Sequence, residues 1–353
     1  MNEVNFIKHR HNQISAILRK NKIDFILSNQ QAFINYITDA IDIPGYVIID
    51  AKAIRFYTDA RFKIEAAKLD TLIKVKIPSV RFYQYISKET KLVSKKIGID
   101  SFSLSFGEME EVKAALLPTE IKNIGIELAG CMNNHDNESL KRTKKAVEIS
   151  KRVFFETKNS LALGITEIEV ACLISSRSRL LGAEGESFPA IVAFGENSAK
   201  PHSKPSNRKL KDGDVVLIDM GCIYKGLNSD FTRTFIFGDK LSQAANTIDI
   251  IKSISIMTGK KLSLEISPSA SDEMARIELR KYSLEKYFTH SLGHGIGYIV
   301  HIAPRISIHS KDVYKENMIV TIEPGVYFEG QYGVRHEDMY IITRGKPINL
   351  TKF

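Results

Sequence analysis

The chain has 353 residues, 43% of them hydrophobic and 26% charged, a composition that excludes wholesale disorder and is long enough for two domains. The 50 Lys and Arg against 41 Asp and Glu give a formal charge of +9, which reads as ordinary surface composition rather than a nucleic-acid footprint. Cys131, Cys172 and Cys222 are odd in number and far apart, which argues against a disulfide framework or a thiolate zinc site.

The N-terminal stretch MNEVNFIKHRHNQ carries charges where a signal peptide needs an apolar centre. No run approaches the roughly 18 apolar residues of a membrane span. The expectation is a reduced, soluble, cytoplasmic protein with neither membrane nor nucleic acid as partner.

In the first third, helix and strand signals alternate. Phe6, Ile7, Ile14, Ile17 and Leu18 line one face of a helix over 3–20. IDFIL (23–27) reads as a short buried strand, and GYVIID (45–50) and AIRFYTD (53–59) as a strand pair. Residues 61–69 read as helix and 72–77 as strand. KIGID near 97 and NIGIE near 124 add two more strands. This alternation predicts an α/β N-terminal domain over 1–130.

Residues 128–140 (LAGCMNNHDNESL) are polar and aperiodic and mark the boundary, so a second domain covers 136–353. It opens on a long helix over 137–159. A second helix is announced by a capping box of Thr166 with Glu169. From 189 onward PAIVAFG, DVVLIDMG, DFTRTFIF, NMIVTIEPGVYF and GVRHEDMYIIT are strand-like, with helices at about 241–260 and 268–282 between them. That pattern predicts an α+β domain.

The residues that carry chemistry all lie beyond position 200. Asp219 ends an apolar strand and Asp230 starts DFTRTF eleven residues later, so a hairpin would bring both carboxylates together. HSLGHGIGYIVH supplies His290, His294 and His301, and glycines 293, 295 and 297 leave the backbone around His294 uncrowded. Its G-x-G pattern lacks the strand register and the Lys-Ser/Thr of a phosphate loop. Glu323 sits in the apolar run IVTIEPGVY, where an acid is costly unless paired or metal-bound. Glu337, in GVRHED, has Arg335 as an ordinary alternative partner two residues away.

Four converging carboxylates repel strongly unless a cation sits among them. Two divalent ions neutralise them, and a hard donor set with one imidazole suits Mn(II), Co(II) or Zn(II) better than copper. Metal-assisted hydrolysis is the reaction class, because such ions lower the pKa of a held water toward roughly 7.

In this order and context, Asp219, Asp230, His294, Glu323 and Glu337 resemble the five ligands of the pita-bread metallopeptidases, which include methionine aminopeptidase, aminopeptidase P and prolidase. The likeness runs from about 140 to 345 and is carried by FPAIVAFGENSAKPHSKPS, VVLIDMG, SDFTRTF, HSLGHGIGYIVH, TIEPGVY and GVRHED. The first third, including YTDARF, resembles a creatinase-type N-terminal domain. The implied fold is an α/β N-terminal domain followed by an α+β pita-bread catalytic domain.

The resemblance implies a dinuclear centre, with Mn(II) the leading metal. Asp219 would bind one ion, Asp230 and Glu337 would bridge, and His294 and Glu323 would hold the second. A hydroxide bridging the pair would attack the peptide carbonyl while Glu323 shuttles the proton to the leaving nitrogen. His202 matches a histidine near the scissile carbonyl, and His301 one that stabilises the tetrahedral intermediate. His290 and Arg335 match positions typical of the proline-specific members.

Arg305 matches an arginine that some microbial prolidases use for the substrate carboxylate, with a surface loop as its alternative reading. Two departures bear on substrate preference: Ile302 stands where an acid is usual, and His336 where an aliphatic residue is usual. The implied activity is hydrolysis of the Xaa-Pro bond in short proline-containing peptides, by a homodimer, with dipeptidase and aminopeptidase P both open. A methionine aminopeptidase and a non-catalytic binding module of the same fold are the alternatives.

Overall fold

A computed structural model describes residues 5–101, 103–238 and 244–353. The chain divides into two compact units, Met1–Met132 and Asn133–Phe353.

The first unit is built on one six-stranded mixed sheet. Its strands lie in the order Ile73–Lys76, Ile54–Tyr57, Tyr46–Asp50, Phe25–Ser28, Lys96–Ile99 and Glu120–Asn123. Phe25–Ser28 is buried at all four positions, as a central strand covered on both faces requires. The helix Phe6–Asn21 buries Ile7, Ile14, Ile17 and Leu18, the apolar face expected there; residues 3 and 4 of the expected span lie outside the described residues.

Three readings of this unit need correction. NIGIE is not a strand: the strand is Glu120–Asn123 and a helix runs over Gly125–Met132. The Asn123 side chain accepts from the Gly125 N–H, which turns the chain in the manner of a helix cap. The aperiodic stretch 128–140 is accordingly helix in its first part, and the next helix begins at Asn137. Residues 61–69 hold only a short 3₁₀ turn and the four-residue helix Lys63–Ala66.

The second unit joins two helix pairs to antiparallel strands. One core packs Val153, Phe154, Val170 and Ile174 of helices Asn137–Asn159 and Glu167–Leu180 on Val192, Phe194, Val216, Ile218 and Phe231. The other packs helices Ala244–Lys260 and Pro268–Lys281, through Ile251, Ala275 and Leu279, on Val320, Ile322, Val334 and Tyr340. Thr166 forms the expected capping box with Glu169. Positions 241–243 of the third expected helix lie outside the described residues.

Val215–Met220 pairs antiparallel with both Ile191–Phe194 and Phe231–Ile236. A five-stranded sheet has the order Ile302–Ile306, Gly293–Gly295, Ile319–Ile322, Asp338–Ile341, Ile348–Asn349. Two strands expected to be continuous are broken: Glu323 and Pro324 separate Ile319–Ile322 from Gly325–Phe328, and His336 and Glu337 separate Tyr332–Arg335 from Asp338–Ile341. Among the described residues no helix is long and apolar enough to cross a membrane.

Candidate active site and metal centre

The strand ends of the second unit converge on one pocket of ≈ 950 Å³, and all ten side chains singled out in the sequence line it. Asp219 is the fifth residue of Val215–Met220, opposite Thr232 of Phe231–Ile236. Asp230 directly precedes that second strand. The two acids are thus brought together by strand pairing, but not by a simple hairpin. The connection carries its own small sheet, Cys222–Tyr224 with Leu227–Asn228 and Gly185–Glu186.

His294 is the middle residue of Gly293–Gly295. A Cβ on Gly293 would run into the Thr321 carbonyl, and one on Gly295 into the Ala303 carbonyl and the Asn133 amide, so only glycine lets this strand lie so close to its neighbours. Glu323 and Glu337 flank paired positions, Ile322 facing Asp338 across the ladder.

Asp230, His294 and Glu337 each offer a donor atom within 4.8 Å of the others. His294 Nε2 lies 3.7 Å from Asp230 Oδ2 and 3.6 Å from Glu323 Oε1. Its Nδ1 is 3.0 Å from the Gly295 carbonyl, an acceptor, so Nδ1 carries the proton and Nε2 presents a lone pair to the acids. A metal-binding histidine is oriented in this way, its second nitrogen donating to a carbonyl.

Asp219 Oδ1 and Asp230 Oδ1 are buried without a hydrogen-bond partner. Orphaned carboxylate oxygens beside a free imidazole lone pair fit a divalent cation better than any protein donor present.

The electrostatics follow. Burial, then the charge of Asp219, pushes the Glu337 carboxyl up to about 8. Burial raises Asp230 as well, with Glu337, Asp219 and Glu323 adding to it, and raises Glu323 with Glu337 adding. Burial, then His301, lowers His294 to about 4. Three acids, Asp230, Glu323 and Glu337, that resist ionisation and an imidazole that resists protonation are the signature of a site suited to positive charge.

Arg335 supplies one such charge. Its Nη2 donates to Asp219 Oδ2 at 2.6 Å, not to Glu337 as the sequence alternative held. Burial opposes the Arg335 charge, but Tyr327, Asp219 and Glu323 hold its pKa well above the ordinary value.

Thr232 and Tyr327, which the sequence pattern does not single out, join the site. The Thr232 hydroxyl donates to Glu337 Oε2 at 2.8 Å and accepts from Arg335 Nε at 3.1 Å. Arg335 Nη1 donates to the Tyr327 hydroxyl at 2.7 Å, and that hydroxyl lies 3.0 Å from His290 Nε2. His290 Nδ1 faces the Ser291 carbonyl at 2.8 Å, so the chain runs from Arg335 through Tyr327 to an Nε2 lone pair. Burial, then Arg335, lowers His290 to about 4, keeping that acceptor neutral.

A threonine and a tyrosine in strand patterns read as sheet formers, and their partners lie up to 105 residues away. Only the spacing of Thr232 two residues after Asp230 hinted that they share a face.

His202 is exposed on the pocket wall in the loop after Gly195–Ala199. His301 packs edge-on to His294 at 4.3 Å between ring centres. Arg305 is not in a loop: it belongs to the edge strand Ile302–Ile306, and its Nε donates to the Ser291 hydroxyl at 2.9 Å. Ile302 is buried, and His336 is buried 3.6 Å from Asp338.

The profile of metallopeptidase family M24 matches residues 141–344, and that of the Creatinase/Prolidase N-terminal domain residues 10–131. An Xaa-Pro dipeptidase of Pyrococcus horikoshii is 32% identical over 343 residues, covering 96% of each chain. The solved Xaa-Pro dipeptidase from Bacillus anthracis superposes with a TM-score of 0.93 at 27% identity, over 98% of each chain. An X-Pro aminopeptidase from Thermotoga maritima MSB8 gives 0.90 at 28% identity, again over 98% of each chain.

Proposed function

Because the chain belongs to metallopeptidase family M24 and carries a Creatinase/Prolidase N-terminal domain, we propose that it hydrolyses the Xaa-Pro bond of short peptides. The observation that supports this most is the set Asp219, Asp230, His294, Glu323 and Glu337 lining one pocket with two buried carboxylate oxygens unpartnered. In this reading these five hold two divalent cations, Mn(II) first and Co(II) or Zn(II) as alternatives. The cations would polarise the scissile carbonyl and supply a water of lowered pKa.

The protein's own groups do the rest. Arg335 fixes one oxygen of Asp219, and Thr232 fixes one oxygen of Glu337. Glu323, raised by burial and then by Glu337, suits a group that takes a proton and passes it to the leaving proline nitrogen. His202 and His301, on the pocket wall, would donate to the carbonyl oxygen as charge develops on it. His290 orients this wall through Tyr327. Arg305 would pair with the free carboxylate after proline, which favours a dipeptide substrate. The same reading carries a cytoplasmic homodimer with no nucleic-acid partner.

The test is a comparison of Ala-Pro with Ala-Pro-Ala on Mn(II)-loaded protein. Faster turnover of Ala-Pro is expected. Arg305→Ala should raise KM for Ala-Pro and leave that for Ala-Pro-Ala unchanged. Cleavage of neither peptide would end the proposal.

A further inference from the structure

Glu167 is fully buried, yet it forms no ion pair among the described residues. Every polar contact of its carboxylate comes from one loop. Oε1 accepts from the Phe194 N–H at 2.7 Å and from Asn197 Nδ2 at 3.1 Å; Oε2 accepts from the Ser206 N–H at 2.9 Å, the Ser206 hydroxyl at 2.6 Å and Asn197 Nδ2 at 3.2 Å. Phe194 ends the strand Ile191–Phe194, and Ser206 lies four residues past His202. One carboxylate therefore grips both ends of the loop that carries His202.

The grip is reciprocal. Glu167 is the first residue of helix Glu167–Leu180, whose leading N–H groups have no partner within the helix. The Glu167 N–H donates to the Arg208 carbonyl and the Ile168 N–H to the Ser206 carbonyl, both at 3.2 Å. Loop carbonyls satisfy the helix, and the helix's acid satisfies the loop. At its far side the loop meets the catalytic wall: the Gly333 N–H donates to the Ser198 hydroxyl at 2.8 Å, and Arg335 Nη1 to the Pro201 carbonyl at 3.2 Å.

A buried carboxylate is costly unless its oxygens are satisfied, and keeping one here gains something only if the loop needs a fixed shape. His202 itself has an exposed side chain, so its position depends on the backbone that carries it. A displacement of about 1 Å at a reacting group can cost on the order of 100-fold in rate.

We propose that Glu167 is a positioning residue for His202, locking the 194–206 loop so that the imidazole meets the scissile carbonyl. The inference rests on the peptidase reading above for what His202 does, though not for where the loop is held. Glutamine is the informative substitution. An amide has one oxygen, so Glu167→Gln can accept from Phe194 or from Ser206 but not from both, whichever way it is turned.

The experiment is a double-mutant cycle of Glu167→Gln and His202→Ala, assayed on Ala-Pro with Mn(II)-loaded protein. Nitrogen-15 spectra of the imidazoles in zinc-loaded protein accompany it. Glu167→Gln is expected to lower kcat/KM about 10-fold or more, mostly through kcat. The double variant should match His202→Ala alone within about twofold. The His202 signal should shift or broaden while that of His294 stays in place.

Additive losses, or equal disturbance of both histidines, would overturn the inference and leave Glu167 a general support of the fold. An unchanged His202→Ala rate would overturn it too. Absence of peptidase activity in the parent protein, with the His202 signal still responding to Glu167→Gln, would sink the functional reading but not the loop lock. If Glu167→Gln does not fold, Ser206→Ala removes one hydroxyl contact, keeps the carboxylate and runs the same cycle.

Discussion

Behind Glu337 lies a buried ion pair whose loss has a calculable cost. Arg233 Nη2 donates to Asp338 Oδ1 at 2.7 Å, with the two side chains only 11% and 3% exposed. The same guanidinium donates to the carbonyls of Thr232, Glu337 and Thr351 at 2.9, 2.6 and 2.8 Å. Asp338 also accepts from the Thr351 hydroxyl and from Asn349 Nδ2. Removing one partner of such a pair costs roughly 3–5 kcal/mol. The three carbonyls left around Arg233 place Asp338→Ala at the lower end, about 3–4 kcal/mol.

For a unit of this size each kcal/mol moves the melting temperature by roughly 2–4 °C, so calorimetry of metal-loaded protein should record a fall of about 6–16 °C. Burial works against the Asp338 charge, but His336 and Arg233 hold its carboxyl well below the usual range. A depressed folded-state pKa gives stability that is present above the unfolded value and lost as pH falls through the folded one, so the loss persists at neutral pH. Replacing both partners, as Arg233→Met with Asp338→Leu, should recover most of it, because no charge is left buried alone. A single-variant shift under about 2 °C would refute this account.

Four further outcomes follow from the site. Since the Glu337 carboxyl is raised to about 8, its contribution to the stability of metal-free protein should be fully present below the ordinary carboxyl pKa and lost as pH rises through 8; melts of chelated protein against those of Glu337→Gln between about pH 5 and 9 check this, and parallel profiles would contradict it. Adding Mn(II) should reverse the loss, by about 2.7 kcal/mol when free metal is 100-fold above Kd. Glu323→Ala should abolish turnover and weaken one metal, whereas His290→Ala should impair turnover with metal content intact; equal metal loss in both would contradict their separate roles. Elemental analysis should find two divalent ions per chain, and a limit of one would refute the paired site.

Asp219 and Glu323 are legible because each sits in an apolar run, where a carboxylate has no cheap explanation, while Asp230 and Glu337 are legible only from their order and context with the others. His294 was legible from the glycines that its crowded strand requires. The helix Asn137–Asn159 and the Thr166 cap were visible as local patterns, whose causes lie within a few residues. What escaped reading depends on distant partners. Thr232, Tyr327 and Glu167 are ordinary residue types until the fold brings Glu337, Arg335 and Ser206 to them.

Arg305 follows Pro304 in an edge strand rather than in a surface loop, and an edge is the location in a sheet that tolerates proline. NIGIE failed for the converse reason. Its apolar alternation fits a strand, but the Asn123 side chain turns the backbone at Gly125, a cap signal that periodicity overrode.

The geometry of the acids also bears on how many cations they take. Arg335 occupies Asp219 Oδ2 and Thr232 occupies Glu337 Oε2, while Asp219 Oδ1 and Asp230 Oδ1 are left without partners. Directed donors thus satisfy one oxygen of Asp219 and one of Glu337 and leave buried oxygens of Asp219 and Asp230 unsatisfied. Ionised Asp219, Asp230, Glu323 and Glu337 with Arg335 leave three negative charges uncovered in a buried site. One divalent cation would still strand a negative charge there. Two would bring the site to a single positive charge, which one bound anion would neutralise, and a buried cluster is least costly when its charges cancel. On the proposed reading, charge balance would therefore favour a pair of metals, with Arg335 closing that balance.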